Sequence, residues 1–453
     1  MIKITNTFEK NAFTKKQEET LLLVELLAPK KEVLANKEIQ QLNIALAIDV
    51  SGSMGESVKG GRSQIQNLGF AINNSNGHFG QQFRHPEFPT ERPISKMEQA
   101  KRAALKAMDA MRNGDILSII SFDDTITIVV PATVLSNENR SHIKSKINSL
   151  YHRGMTNIHD GWHTAAAEVA KNIKTNSINR VILLTDGQTN AGITNPDTIC
   201  SNVLLMKNVS ISTSTFGIGE QFNEDLLQGM ANSGDGNAYY IDNDNKLEQM
   251  FKDEFNGLNN LYATDVKISF EFEKNQSVIE QMNGLVVQDN AYLVPNLISE
   301  GKNALLFKLK VKVGKTSENH LVGNVVISFK DSDGVQHIEK QEIKNVVVSK
   351  KEWEELSYNQ EVKVQETLMI VANKKLEATR AIDLGDMTRA KTILAGSMAF
   401  VANASASFND GRLNLESASI GASLSNADTM SEKAFRKDLS YTSYATRSGK
   451  TDK

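Results

Sequence analysis

Cysteine is nearly missing from this 453-residue chain: Cys200 stands alone. No disulfide can form within the chain, so a reducing compartment is expected, and with it a cytoplasmic location. The sequence also lacks any stretch approaching the roughly 20 consecutive apolar residues that a membrane-spanning helix requires. The opening residues, Met1-Ile2-Lys3-Ile4-Thr5-Asn6-Thr7-Phe8-Glu9, lack the apolar run of a secretory signal. No membrane partner is expected. An excess of charge is lacking too, the formal net charge being -3. A nucleic-acid partner is therefore not expected, because binding phosphates requires a basic face that displaces counterions.

What is present divides into patterned blocks. Residues 1–41 hold one apolar, β-rich segment, Thr20 to Leu27, read as a strand standing alone before the main domain. At Leu42 the pattern changes. Leu42-Asn43-Ile44-Ala45-Leu46-Ala47-Ile48 is nearly continuous in apolar residues and ends on Asp49, which suits a strand buried on both faces. From there to residue 258, strand patterns alternate with helical ones. That alternation predicts a doubly wound, mostly parallel α/β sheet with helices on both faces. Within it, residues 55–93 form a long insertion rich in Gly, Asn, Gln and Ser that must emerge beside the end of the first strand. It reads first as a disordered loop and second as a lid or specificity loop.

Residues 259–350 switch to a period of two. Val266, Ile268, Phe270 and Phe272 alternate with polar residues, as do Phe307, Leu309, Val311 and Val313. This predicts an antiparallel β-sandwich. The strand at 20–27 is expected to complete it, which makes the α/β domain an insertion in the sandwich. Residues 351–402 read as a helical hairpin broken at Leu384-Gly385-Asp386. Residues 403–453, rich in Ser, Ala and Asn, read as a flexible tail.

The chemistry gathers at Asp49-Val50-Ser51-Gly52-Ser53-Met54, at the carboxyl end of the first buried strand. Open α/β sheets bind ligands in crevices at such ends. A carboxylate and two hydroxyls, with Gly52 letting the backbone turn between them, offer hard oxygen donors of the kind Mg²⁺ takes. Thr156, ahead of a helix, and Asp186, after the strand Arg180 to Thr185, lie on loops at the same sheet edge. Asp123 and Asp124 read as hairpin-turn residues, and His159 as a surface or packing residue.

Enzyme signatures are lacking. Gly314-Lys315-Thr316 and Gly449-Lys450-Thr451 have Leu309 and Tyr444 where a phosphate-binding loop would have its upstream glycine. There is no Gly-x-Ser-x-Gly elbow and no His-Glu-x-x-His pair. A haloacid-type phosphatase would have aspartate in place of Ser51, and a receiver domain would have an acidic pair in place of Gln40-Gln41.

Asp49, Ser51, Ser53, Thr156 and Asp186, with the flanking Ala47-Ile48, Ser121-Phe122-Asp123, Asn157-Ile158 and Leu184-Thr185 and Gly187, resemble the metal-ion-dependent adhesion site of von Willebrand factor type A domains. The resemblance covers about residues 42–258. The flanking sandwich and helices resemble larger bacterial proteins of this kind and inter-alpha-trypsin-inhibitor-like architectures less specifically. It implies a Rossmann-like fold, a bound Mg²⁺ (Mn²⁺ or Ca²⁺ as alternatives), and a protein partner whose Asp or Glu carboxylate completes the coordination. It also implies a place in a larger assembly, for instance beside an AAA+ ATPase or in a stress-response system, and no enzymatic activity. The alternatives are an assembly protein with a vestigial or structural metal site and, further off, a metal-dependent hydrolase.

Overall fold

The computed structural model describes residues 1–15, 19–30, 40–57, 94–174, 177–187, 189–219, 222–241, 244–313, 317–331 and 333–448. Most of the insertion, residues 58–93, lies outside the described residues.

The strand Gln41–Asp49 is the centre of a six-stranded sheet. Ile116–Phe122 lies parallel on one side, followed by the antiparallel edge strand Ile126–Val134. Ser177–Thr185, Ser212–Ile218 and Ala238–Ile241 lie in parallel on the other. Strand order thus reverses at Gln41–Asp49, and the crevice at its carboxyl end opens between Asp49 and Thr185.

The two faces of that strand explain its unbroken apolar run. Leu42, Ile44, Leu46 and Ile48 pack with Met97, Ala100 and Ala104 of the helix Lys96–Ala110 and Phe251 of the helix Asp244–Asn259. Ala45 and Ala47 face the helix Ile158–Ala170, whose Trp162 is fully buried and donates from its indole to Thr213 Oγ1 at 3.0 Å. Gly161 brings that helix against the sheet, for a Cβ there would meet the Phe122 ring at 2.4 Å.

The sandwich is built as the period of two predicts. Glu19–Leu27 pairs with Lys3–Phe8 and Lys302–Lys310 in a four-stranded sheet. The facing sheet contains Leu261–Phe272, Ser317–Lys330 and Gln336–Val348, with Ala12–Thr14 at one edge. Leu22, Val24, Leu26 and Phe307 meet Ile268, Val325 and Ile327 between the sheets. On its outer face the smaller sheet presents Leu21, Leu23 and Leu306 to a helical layer. Burial on both faces is why Thr20 to Leu27 is apolar throughout rather than alternating. The α/β domain enters the chain between Leu27 and Leu261, inside the sandwich.

The hairpin of Gln360–Asp383 and Met387–Phe408 turns at Gly385, whose φ is +76°. The reading of 403–453 as a flexible tail needs correction. Past the left-handed cap at Asn409 come the helices Gly411–Asn426 and Glu432–Arg447. Phe435 and Leu439 are fully buried. Composition misled here because serines carry part of this packing: Ser443 is buried and donates to the Ala372 carbonyl at 2.8 Å, so its hydroxyl is satisfied inside the core. The last helix also reaches the α/β domain, where Lys437 Nζ sits 2.8 Å from Glu224 Oε2. No described helix is long and apolar enough to cross a membrane.

Candidate functional site

Asp49 ends the central strand with no exposed surface. Its Oδ1 accepts the Ser51 backbone N–H at 2.8 Å, and its Oδ2 accepts the Thr185 hydroxyl at 2.5 Å. The turn Gly52–Gly55 then swings the chain so that Ser51 Oγ and Ser53 Oγ lie 3.1 Å apart. Ser53 Oγ donates to Asp186 Oδ1 at 2.8 Å. Four of the five predicted residues are thus linked through two adjacent strand ends.

The third loop is stitched on by its backbone. Arg153 N–H donates to the Val50 carbonyl at 2.6 Å, and Gly52 N–H to the Gly154 carbonyl at 3.1 Å. Gly154 has φ +66°, and a Cβ there would lie 2.1 Å from Asp124 Oδ1 and 3.1 Å from Asp123 Cβ, so glycine is favoured. Thr156 is held from both sides: its N–H donates to Asn190 Oδ1 at 2.8 Å, and its carbonyl accepts Asn190 N–H at 3.0 Å. A Cβ on Gly187 would stand 3.2 Å from Thr156 Oγ1 and 3.7 Å from Asp49 Oδ2. That single point shows the Thr156 hydroxyl and the Asp49 carboxylate facing one small space, kept open by glycine.

Asp123 lies beside this cluster as a turn residue. Its Oδ1 accepts Thr125 N–H at 2.6 Å, and its Oδ2 accepts Arg153 Nε at 2.6 Å. His159 is buried and held between Asp160 Oδ1 and Asn202 Nδ2.

Sequence reasoning missed Lys96 and Thr185 as members of the site. Lys96 is only 4% exposed, and its ammonium lies 2.7 Å from Asp186 Oδ2 and 2.8 Å from Glu56 Oε2. Burial alone would lower its pKa; the hydrogen bonds to Asp186 and Glu56 outweigh that and raise it, so it stays charged. No spacing rule could find it, because residues 55–93 separate it from the loop it serves. Thr185 was visible as a hydroxyl next to Asp186, and its position one residue earlier on a buried strand was the available signal.

The electrostatics of the two carboxylates differ. Asp186 has an ammonium partner. Among the described residues no cationic side chain contacts Asp49. Burial pushes the Asp49 carboxyl up to about 6, the hydrogen bond from Thr185 pulls it down, and the Asp186 charge adds to the rise. A buried carboxylate without a counter-charge, beside three hydroxyls, is a donor set that fits a small hard cation. Among the described residues no three His, Cys, Asp or Glu side chains gather as a metal cluster. The polar groups here are hydroxyls and two carboxylates, hard oxygen donors unlike those of a thiolate or imidazole site.

An open α/β sheet with an acid-and-hydroxyl crevice at its switch point, carried by a sandwich and a helical layer, defines the class of protein. The domain that carries the crevice can be named as well. Residues 92–253 match the family model of the von Willebrand factor type A domain, and the chain contains such a domain. Thr156 and Asp186 fall within the matched span; Asp49, Ser51 and Ser53 precede it, across the insertion, and are joined to it by the fold.

The whole architecture is shared. A solved structure described as von Willebrand factor type A from Catenulispora acidiphila superposes with a TM-score of 0.70 at 16% identity, covering 98% of this chain and 96% of that one. The ArnB paralog VWA2 from Sulfolobus acidocaldarius gives a TM-score of 0.54 at 12% identity, covering 98% and 99%. In sequence, YfbK of Escherichia coli is 26% identical over 320 residues, 67% of this chain and 47% of that protein. The protein sll0103 of a Synechocystis strain is 24% identical over 314 residues, 66% and 73% of the two chains. Inter-alpha-trypsin inhibitor heavy chain H3 of Homo sapiens is 28% identical over 255 residues, 52% and 27%. The chain therefore spans about half the length of YfbK and about a quarter of the human heavy chain. Domains of this family are often metal-dependent protein-interaction modules and commonly bind a divalent metal.

Proposed function

We propose that this chain is a divalent-cation-dependent protein-binding module. Asp49, Ser51, Ser53, Thr156 and Asp186 would hold Mg²⁺, and an Asp or Glu carboxylate of a partner would complete its coordination. The observation that carries the reading is the buried Asp49 carboxylate, which has no cationic partner among the described residues and faces the Thr156 hydroxyl across the space beside Gly187. A bound dication supplies the missing counter-charge and a Lewis-acidic position for an oxygen ligand. The chain's own residues orient the donors: Thr185 fixes one oxygen of Asp49, Ser53 one oxygen of Asp186, and Asn190 the Thr156 backbone.

A binding role is favoured over catalysis by the same geometry. The nearby His159 is tied to Asp160 and Asn202 and has no part in the crevice. The reading is tested by affinity capture from native lysate with the wild type and Asp49→Ala, each with Mg²⁺ and with EDTA. A protein retained only by the wild type with Mg²⁺ supports it. Identical retention in all four conditions contradicts it.

A further inference from the structure

Lys96 is the first residue of its helix, and the fold fixes it there. Ser95 caps the helix by accepting Glu98 N–H, and Ser57 and Ser95 form an antiparallel bridge that closes the base of the insertion. The Lys96 N–H donates to the Glu56 carbonyl at 3.0 Å. The side-chain stem lies over Gly219, where a Cβ would come within 3.0 Å of Lys96 Cε. Glycine at this left-handed position (φ +72°) leaves room for the stem, whose ammonium reaches Asp186 at 2.7 Å.

This changes the charge count that the sequence offers. Two aspartates alone would neutralise a dication and leave the loaded site indifferent to anions. With Lys96 present, Asp186 is already matched from within the chain. A dication held between Asp49 and Asp186 then leaves one buried positive charge in excess. Glu56, the other neighbour of the ammonium, has a side chain 53% exposed, and water screens it more than it screens the fully buried Asp186.

We propose that Lys96 is a specificity-determining residue of the cation site: its ammonium shares Asp186 with the bound ion, weakens the ion's hold, and leaves the loaded site electropositive toward an acidic ligand. The inference rests on the proposed cation site. Its consequence is a site that trades cation affinity for anion affinity. Like charges sharing one carboxylate in a water-poor crevice repel strongly, so removing the ammonium should tighten the ion roughly tenfold or more.

The test uses the full chain as wild type, Lys96→Met, Lys96→Gln and Lys96→Arg, with thermal unfolding recorded for each. Mn²⁺ is titrated and followed by electron paramagnetic resonance. Acetate is then added to the Mn²⁺-loaded proteins, and the relaxation of its methyl protons reports proximity to the ion. The two neutral variants should bind Mn²⁺ roughly tenfold or more tightly than wild type and relax acetate less. Lys96→Arg should stay near wild type in both. Of the two neutral variants, whichever folds carries the test. Neutral variants that bind Mn²⁺ no better than wild type overturn the inference and leave the cation site standing, with Lys96 only orienting Asp186. If no variant and no wild type binds Mn²⁺, the cation-site reading falls, and this inference with it.

Discussion

Ser53 Oγ donates to Asp186 Oδ1 at 2.8 Å, joining the loop after the central strand to the loop after its parallel neighbour. Both loops leave the sheet at the point where strand order reverses, so the fold itself brings these distant residues together. Asp186 Oδ2 is meanwhile held by Lys96. The Asp49 carboxylate is held by Thr185 and Ser51, and among the described residues it has no cationic partner.

That difference predicts a pH effect in the metal-free protein. The folded Asp49 carboxyl titrates near 6 against an ordinary 3.8. A carboxyl raised on folding favours the folded state most below 3.8; the advantage falls between 3.8 and 6 and is gone above. The cost of ionising it in the fold is about 3 kcal/mol at neutral pH. In EDTA at pH 7.5, Asp49→Asn should therefore be more stable than wild type by urea unfolding, and the gap should close toward pH 4. A variant less stable at both pH values would refute this.

The buried ion pair near the start of the strand that leads to Asp186 should be sensitive to half-removal. Arg180 Nη1 lies 2.6 Å from Glu254 Oε1, both groups being almost wholly buried. Arg180→Met leaves Glu254 in the core without its cation, at a cost of about 3–5 kcal/mol. Chemical denaturation of the variant checks this; a loss within error of zero would show that the network of Ser214, Asn237 and Tyr239 holds Glu254 unaided.

Gly161 should tolerate no side chain. A Cβ would meet the fully buried Phe122 ring at 2.4 Å. Gly161→Ala should cost about 1–3 kcal/mol through displacement of the helix Ile158–Ala170 from the sheet. Since Asn157 caps that helix and Thr156 precedes it, the variant should also weaken cation binding. Unchanged stability and affinity would place the helix further from the sheet than the structure has it.

The last helix should be integral. Removing residues 431–453 withdraws Phe435 and Leu439, each worth about 1.5–3 kcal/mol of burial. It also removes the Lys437–Glu224 contact to the α/β domain. The truncated chain should unfold at lower temperature and be cut faster by protease; a chain that behaves like wild type would restore the flexible-tail reading.

How far the sequence speaks depends on where its signals are local. The central strand was legible because burial on both faces leaves a long apolar run, and the sandwich because one polar face leaves a period of two. Asp49, Ser51, Ser53 and Asp186 stood out because they follow directly on such strands, and Thr156 because it precedes a helix at the same sheet edge. Lys96 was not, since its role depends on a bridge between Ser57 and Ser95 that spans the insertion. The final helices were not, since buried serines such as Ser440 and Ser443 look like solvent-facing residues until the helix that satisfies their hydroxyls is seen.

The most direct measurement is calorimetric titration of Mg²⁺ into the metal-free full chain, compared with Asp49→Ala and with Ser51→Ala/Ser53→Ala. The wild type should show one saturable site and either variant none, with each variant folded by circular dichroism. Equal heats from all three proteins would contradict it, because they would place any bound cation away from the crevice between Asp49 and Asp186.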